Sequence, residues 1–149
     1  MNLSPHFTLS EASKSQVALR LGIDNTPPPT VIPKLRLVAE TILEPCRAKF
    51  KKPFSPSSWY RCPELNRAIG SKLTSQHVQG EAVDFEIPGV SNLDVARFIR
   101  DELLFDQLIL EFFDGSPDSG WVHCSFTDPY TRNDVLVFDG KRFSAGLPA

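Results

Sequence analysis

"QLILEFFDGSPDSGWVHCSF" occupies Gln107–Phe126. Its two ends, Gln107–Phe113 and Trp121–Phe126, are rich in aliphatic and aromatic residues suited to a pleated, half-buried surface. Between them, Asp114–Gly120 is made of Asp, Gly, Ser and Pro, the residues that turn a chain. The stretch therefore predicts an antiparallel hairpin and commits the C-terminal half of the chain to a sheet. It also sets His123 in the middle of a strand, between Val122 and Cys124.

Working outward, Asp134–Phe138 and Lys141–Phe143 flank Asp139-Gly140, which predicts a second hairpin closed by a two-residue turn. Upstream, Ala82–Ile87 alternates as a strand, and Ser91 with Asp94 has the capping-box spacing that opens a helix to about Leu103. The N-terminal half reads as helical. Thr8 and Glu11 form another capping-box spacing, and Gly22 supplies a C-terminal stop. "DNTPPPTVIP", Asp24–Pro33, is a stiff extended connection because consecutive prolines cannot be helix interior. From about Val31 to Phe50, Leu35, Val38, Ala39, Ile42, Leu43, Cys46 and Phe50 recur at helical spacing, with a kink or break expected at Pro45. Phe54–Trp59 reads as a weak strand, Pro63–Ile69 as a short helix and Gly70–Gln79 as a loop. The sum is an α+β fold, helices packed on a mostly antiparallel sheet, in one domain over residues 1–149.

Composition narrows the function. The chain has 149 residues, 41% hydrophobic and 23% charged, with a net charge of −2. That is an ordinary globular profile, and the absence of a long basic run argues against a general nucleic-acid binder. No apolar run approaches the roughly 20 residues of a membrane span, and the first residues lack the basic start and apolar block of a signal peptide. Synthesis and retention in the cytoplasm are expected unless another factor releases the protein. Cys46, Cys62 and Cys124 are scattered, with no CxxC, and read as reduced, mostly buried thiols rather than a disulfide framework. A Cys124–His123 nucleophile pair is disfavoured, since neighbours on a strand point to opposite faces.

The chain has three histidines, His6, His77 and His123. His6 lies near the terminus and is the weakest candidate for chemistry. His77 lies in "SQHVQGEAVD", Ser75–Asp84, just before a strand, and Asp84 lies within that strand among Ala82, Val83, Phe85 and Ile87. A carboxylate in an apolar strand is costly unless a charge or hydrogen bond meets it. Three ligands drawn from His and Asp, plus a water, make a hydrolytic zinc site, so one metal would account for His77, Asp84 and His123 together. The plain alternative is a satisfied strand histidine and an aspartate facing solvent or pairing with an arginine. Glu111 lies in the first strand of the opening hairpin. If the register sets it directly opposite His123, it stands beside the site as a general base. Asp114 and Asp118 are rival carboxylates, more simply explained as turn formers.

These stretches resemble a known family. "SQHVQGEAVD" matches the S-x-H-x-x-G-x-A-x-D signature of the zinc D-Ala-D-Ala carboxypeptidases and L-alanyl-D-glutamate endopeptidases. "WVHCS" resembles their second signature, W-x-H, and "SSWYRCPELNRAIG" their S-G-Y-R-S segment. The likeness runs from "HFTLSE" through "WVHCSF", and is nearest the short phage and prophage branch; hedgehog signalling domains share the zinc arrangement. The resemblance implies a hedgehog/DD-peptidase-like fold and one Zn2+ per chain held by His77, Asp84 and His123. It implies Arg61 against substrate or oxyanion, Ser75 and Gln76 near the substrate, and Gly80 letting the backbone pass close to the site. The implied partners are peptidoglycan stem peptides, with a holin or virion component for delivery. Two departures stand out. Several relatives carry the base three residues before the last histidine, where this chain has Gly120, so Glu111 takes that role by analogy with the hedgehog arrangement. Trp59 replaces a common glycine and is expected to reshape the substrate groove. A non-catalytic zinc-binding module is the alternative function.

Overall fold

The computed structural model describes residues 1–72, 74–128 and 131–149; Leu73, within the expected loop, lies outside them. The element order is α1 (Leu9–Ser13), α2 (Gln16–Leu21), α3 (Ile32–Val38), a π-helical segment (Ala39–Leu43), α4 (Glu44–Phe50), α5 (Pro63–Ala68), β1 (Ala82–Phe85), α6 (Asn92–Glu102), β2 (Gln107–Glu111), β3 (Trp121–Ser125), β4 (Asp134–Phe138) and β5 (Phe143–Ala145). The five strands form one sheet in the order β1-β3-β2-β4-β5. All neighbours are antiparallel except β2 and β4, which run parallel. The α+β architecture is thus as the sequence predicts.

The capping box at Thr8 forms, with the Thr8 side chain on the Glu11 N–H and the Glu11 carboxylate on the Thr8 N–H. The single helix expected up to Gly22 is instead two, because Ser15 caps a new start by accepting from the Ala18 N–H. Between Val31 and Phe50 the expected break takes the form of a widened turn. Pro45 has no N–H and its ring would meet the carbonyl one turn back, and the chain responds with a π segment in which the Glu44 N–H reaches the Ala39 carbonyl. Such single π turns let a helix pass a proline without unwinding. Phe54–Trp59 is not a strand. Pro53 and Pro56 withhold donors, and only Ser58 makes a bridge, to Asp84. The last hairpin also differs: Phe138 pairs with Phe143, so four residues make the turn, with Asp139 accepting from the Lys141 and Arg142 N–H groups. The His6 Nδ1 lies 2.7 Å from Glu44, whose carboxylate also accepts from Ser4.

Alternation along the strands gives the sheet two unlike faces. One face carries Val83, Phe85, Leu108, Leu110, Val122 and Cys124, all in the buried core, and α6 packs against β2 and β3 there. Cys124 therefore points away from His123, as the sequence predicts, and burial pushes its thiol well above the ordinary value. The other face carries Asp84, His123 and Ile109 in one row across β1, β3 and β2. Among the described residues, no helix is long and apolar enough to cross a membrane.

Candidate metal centre

Asp84 and His123 are direct cross-strand partners on β1 and β3. The His123 Nδ1 lies 2.8 Å from Asp84 Oδ1. His77 reaches the same oxygen from the preceding loop, with Nε2 at 3.4 Å, and the two imidazole rings stand 5.2 Å apart. His77 is held by its other nitrogen. Its Nδ1 lies 2.6 Å from the Trp59 carbonyl, and a carbonyl only accepts, so Nδ1 carries the proton and Nε2 presents a lone pair. That Nε2 is buried with no hydrogen-bond partner among the described residues.

Two acceptors, a buried nitrogen lone pair and a carboxylate oxygen, thus face each other. This repels unless a cation lies between them. A proton on Nε2 is disfavoured because burial pulls the His77 pKa down, against the attraction of Asp84. Burial pushes the Asp84 carboxyl up, but the pull of the neighbouring histidines, including the His123 hydrogen bond, outweighs it and holds the group well below the usual carboxylate range. One ligand atom from each of the three residues lies within 4.8 Å of the others. Zinc bonds of 2.0–2.2 Å imply tetrahedral edges of about 3.4 Å, so the cluster fits a metal after small side-chain adjustment. The donor set, two imidazoles and a carboxylate, is the chemistry such an ion takes.

The remaining predicted residues fall into place unevenly. Glu111 is not opposite His123: the register pairs His123 with Ile109 and Glu111 with Trp121. Even spacing from Ile109 nevertheless keeps Glu111 on the same face, diagonal to His123. Burial raises its pKa, and the Asp84 charge adds to this against His123 and Arg61. Arg61 pairs with Asp84, Nη2 to Oδ2 at 3.9 Å, and also donates to Ser58 and Asn66; burial pulls its pKa down, opposed by Asp84 and Glu111. Both residues line one cavity of about 540 Å3 with His77, Asp84 and His123. Asp114 instead accepts from the Ser116 N–H within the turn, and Asp118 lines a separate hollow with Glu86 and Asn92.

Ser75 and Gln76 also border the cavity, yet their hydrogen bonds are internal. Ser75 Oγ accepts from the His77 N–H, while Gln76 Nε2 donates to Asp106 at 2.8 Å and to Thr127 at 3.0 Å. Asp106 is 4% exposed and is clasped by Arg132 through Nε and Nη2, each at 2.9 Å. This clamp beside His77 escaped the sequence reading. Its one trace was an acidic residue, Asp106, at the mouth of an apolar strand. One expectation is corrected. Trp59 does not shape the groove: its side chain is 1% exposed, in the core, and its contribution is the carbonyl that holds His77. The Gly80 N–H donates to the His77 carbonyl at 3.3 Å; the residue takes φ +75, and a Cβ there would lie 2.5 Å from Val31 Cγ1, so the glycine lets the loop pack on the start of α3.

No individually curated protein matches the chain. The family model described as Peptidase M15 matches residues 5–125, a span that holds Arg61, His77, Asp84, Glu111 and His123 and ends with β3. With a largely buried two-histidine, one-aspartate cluster inside that span, the chain belongs to the Peptidase M15 family.

Proposed function

We propose that the protein is a zinc peptidase that hydrolyses peptidoglycan stem peptides, either at the terminal D-Ala-D-Ala bond or at L-Ala-D-Glu. The observation that carries this reading is the unpartnered His77 Nε2, aimed at Asp84 beside His123, in a cavity that also holds a carboxylate and an arginine. Zinc bound there supplies a Lewis acid and lowers the pKa of water to near neutrality.

The chain's own groups do the rest. Glu111 sits where burial raises its proton affinity, which suits a base working near neutral pH. It takes a proton as water oxygen adds to the scissile carbonyl carbon, then passes that proton to the leaving amine nitrogen as the C–N bond breaks. Arg61 donates to the oxygen on which negative charge builds, or to a substrate carboxylate. It is pre-oriented for this by Ser58 and Asn66. Trp59, Ser75 and Gln76 hold the His77 loop so that its lone pair stays aimed.

The test is to purify the protein without added metal and measure zinc in wild type, His123→Ala and Asp84→Ala. Digestion of purified peptidoglycan, with new peptide ends identified by mass spectrometry, is followed in parallel. Near-stoichiometric zinc in wild type alone, with new ends appearing only there, is the expected result. Zinc retention without any cleavage would instead make the protein a zinc-binding module, and no zinc in wild type would overturn the site.

A further inference from the structure

One pleat along from Asp84, His123 and Ile109, the same face of the sheet carries a second row. Trp121 pairs with Glu111, Glu111 with Phe138 across the parallel β2–β4 ladder, and Phe138 with Phe143. Glu111 thus stands between two aromatic residues. Phe112 should point to the opposite face by alternation. Its backbone is left-handed instead, φ 53, a conformation that side-chain-bearing residues seldom adopt and that clusters at functional positions. The twist brings its ring 5.0 Å from Trp121 and 5.3 Å from Phe138. Phe138 stacks on Phe143 at 4.5 Å.

Four contiguous rings therefore form a rim beside Glu111. Phe112 is 49% exposed and Phe143 58%, whereas the other large exposed apolar side chains among the described residues are non-aromatic and lie outside the strands of this sheet. The rim is continuous with the candidate site, since Trp121 and Phe143 line the same cavity as His77, Asp84 and His123. Apart from Glu111, the row is uncharged. Flat, uncharged, solvent-facing rings suit a ligand with a C–H-rich face and hydroxyls at its edge, which is the shape of a pyranose. Arg132 and Thr74 on the same cavity supply hydrogen-bonding edges.

We infer that this aromatic rim is a saccharide platform, binding the sugar ring that carries the stem peptide. The inference rests on the reading of the protein as a stem-peptide hydrolase. Strands lie about 4.8 Å apart, so Phe138 on β4 and Phe143 on β5 stand about 10 and 14 Å from His123 on β3 across the sheet. An extended chain covers about 3.4 Å per residue, so a sugar seated on the rim leaves room for about three or four chain units of attached peptide before the His77, Asp84 and His123 cluster.

The test uses the full chain and peptide-free glycan strands as the probe. Binding is followed by Trp121 fluorescence and by aromatic side-chain NMR, with metal-free and zinc-loaded protein. Phe112→Gly removes the ring while relieving the left-handed backbone, and Phe143→Ser lies on an exposed edge, so neither is expected to unfold the protein. Glycan binding by wild type, weakened about tenfold in each variant, is expected. So is a kcat/KM at least about tenfold higher for a muramyl peptide than for the same peptide without sugar, with that ratio falling toward one in the double variant. No glycan binding, or a ratio near one in wild type, overturns the platform. A concentration-dependent dimer abolished by both substitutions overturns it in favour of self-association. Glycan binding without cleavage of either substrate upholds the platform and overturns the peptidase reading instead.

Discussion

Gly120 lies three residues before His123, where the sequence resemblance would place a catalytic carboxylate, and the structure predicts that no side chain can stand there. Its φ is +64, and a Cβ would lie 1.7 Å from the Glu111 carbonyl oxygen and 2.9 Å from the Phe112 carbonyl carbon. Both contacts are backbone, in the hairpin that presents Glu111. Gly120→Ala therefore meets two costs. Holding alanine in the left-handed region costs about 1–2 kcal/mol, and prying the hairpin apart to clear the overlap costs about 1–3 kcal/mol more. The sum is about 2–5 kcal/mol, or a fall in Tm of about 6–15 °C for a chain of this size. Melting should be followed by circular dichroism on metal-free protein, so that metal linkage does not mask the change. Because the Glu111 backbone is the first to be displaced, the variant should also lose kcat in the zinc-loaded state. The companion experiment is Gly120→Asp in a Glu111→Gln background, which should not recover activity. Gly120→Ala melting within about 2 °C of wild type, or a recovered double variant, would refute both the steric argument and the placement of the base on β2.

The Arg132 hydrogen bonds, with help from Gln76, hold the Asp106 pKa below its ordinary value despite burial. A depressed carboxylate contributes stability that is present above the unfolded-state pKa of about 3.9 and is lost as pH falls through the lower folded value. Asp106→Asn should therefore cost about 2–3 kcal/mol at pH 7 and close on wild type in melts taken toward pH 2, with weaker zinc retention as the His77 loop loosens. Zinc at about 100 times its Kd should stabilise wild type by about 2.7 kcal/mol and leave the Tm of His123→Ala unmoved in a calorimetric titration. Arg61→Ala should lower kcat/KM about 10²–10³-fold, with Arg61→Lys recovering part of it in steady-state assays, because a lysine keeps the charge but not the fork that meets Asp84, Ser58 and Asn66.

Much of this site was readable in one dimension because its residues violate local rules. A carboxylate inside Ala82–Phe85 and a histidine inside Trp121–Ser125 make no sense as strand residues unless something meets them, and the two prove to be direct neighbours across β1 and β3. Alternation likewise sorted Cys124 into the core and His123 out of it. Pro45 announced a break, though not its form, since whether a helix kinks or widens to a π turn depends on what packs around it.

What one dimension left open was register and everything built from backbone. An even spacing put Glu111 and His123 on one face, but a seven-residue expected turn leaves the pairing offset undetermined, and the true offset is two residues from direct opposition. The Trp59 carbonyl that sets the His77 tautomer, the Asp106–Arg132 clamp on Gln76 and the contact of Gly80 with Val31 join residues from distant segments through groups that composition and spacing do not mark. The left-handed turn at Phe112 is equally silent in sequence, since phenylalanine has no preference for it. Residue types and their periodicity dictate which side chains share a face, because pleat and helix pitch are local. Which of them meet, at what distance and in which protonation state, is decided by the pairing of strands far apart in the chain.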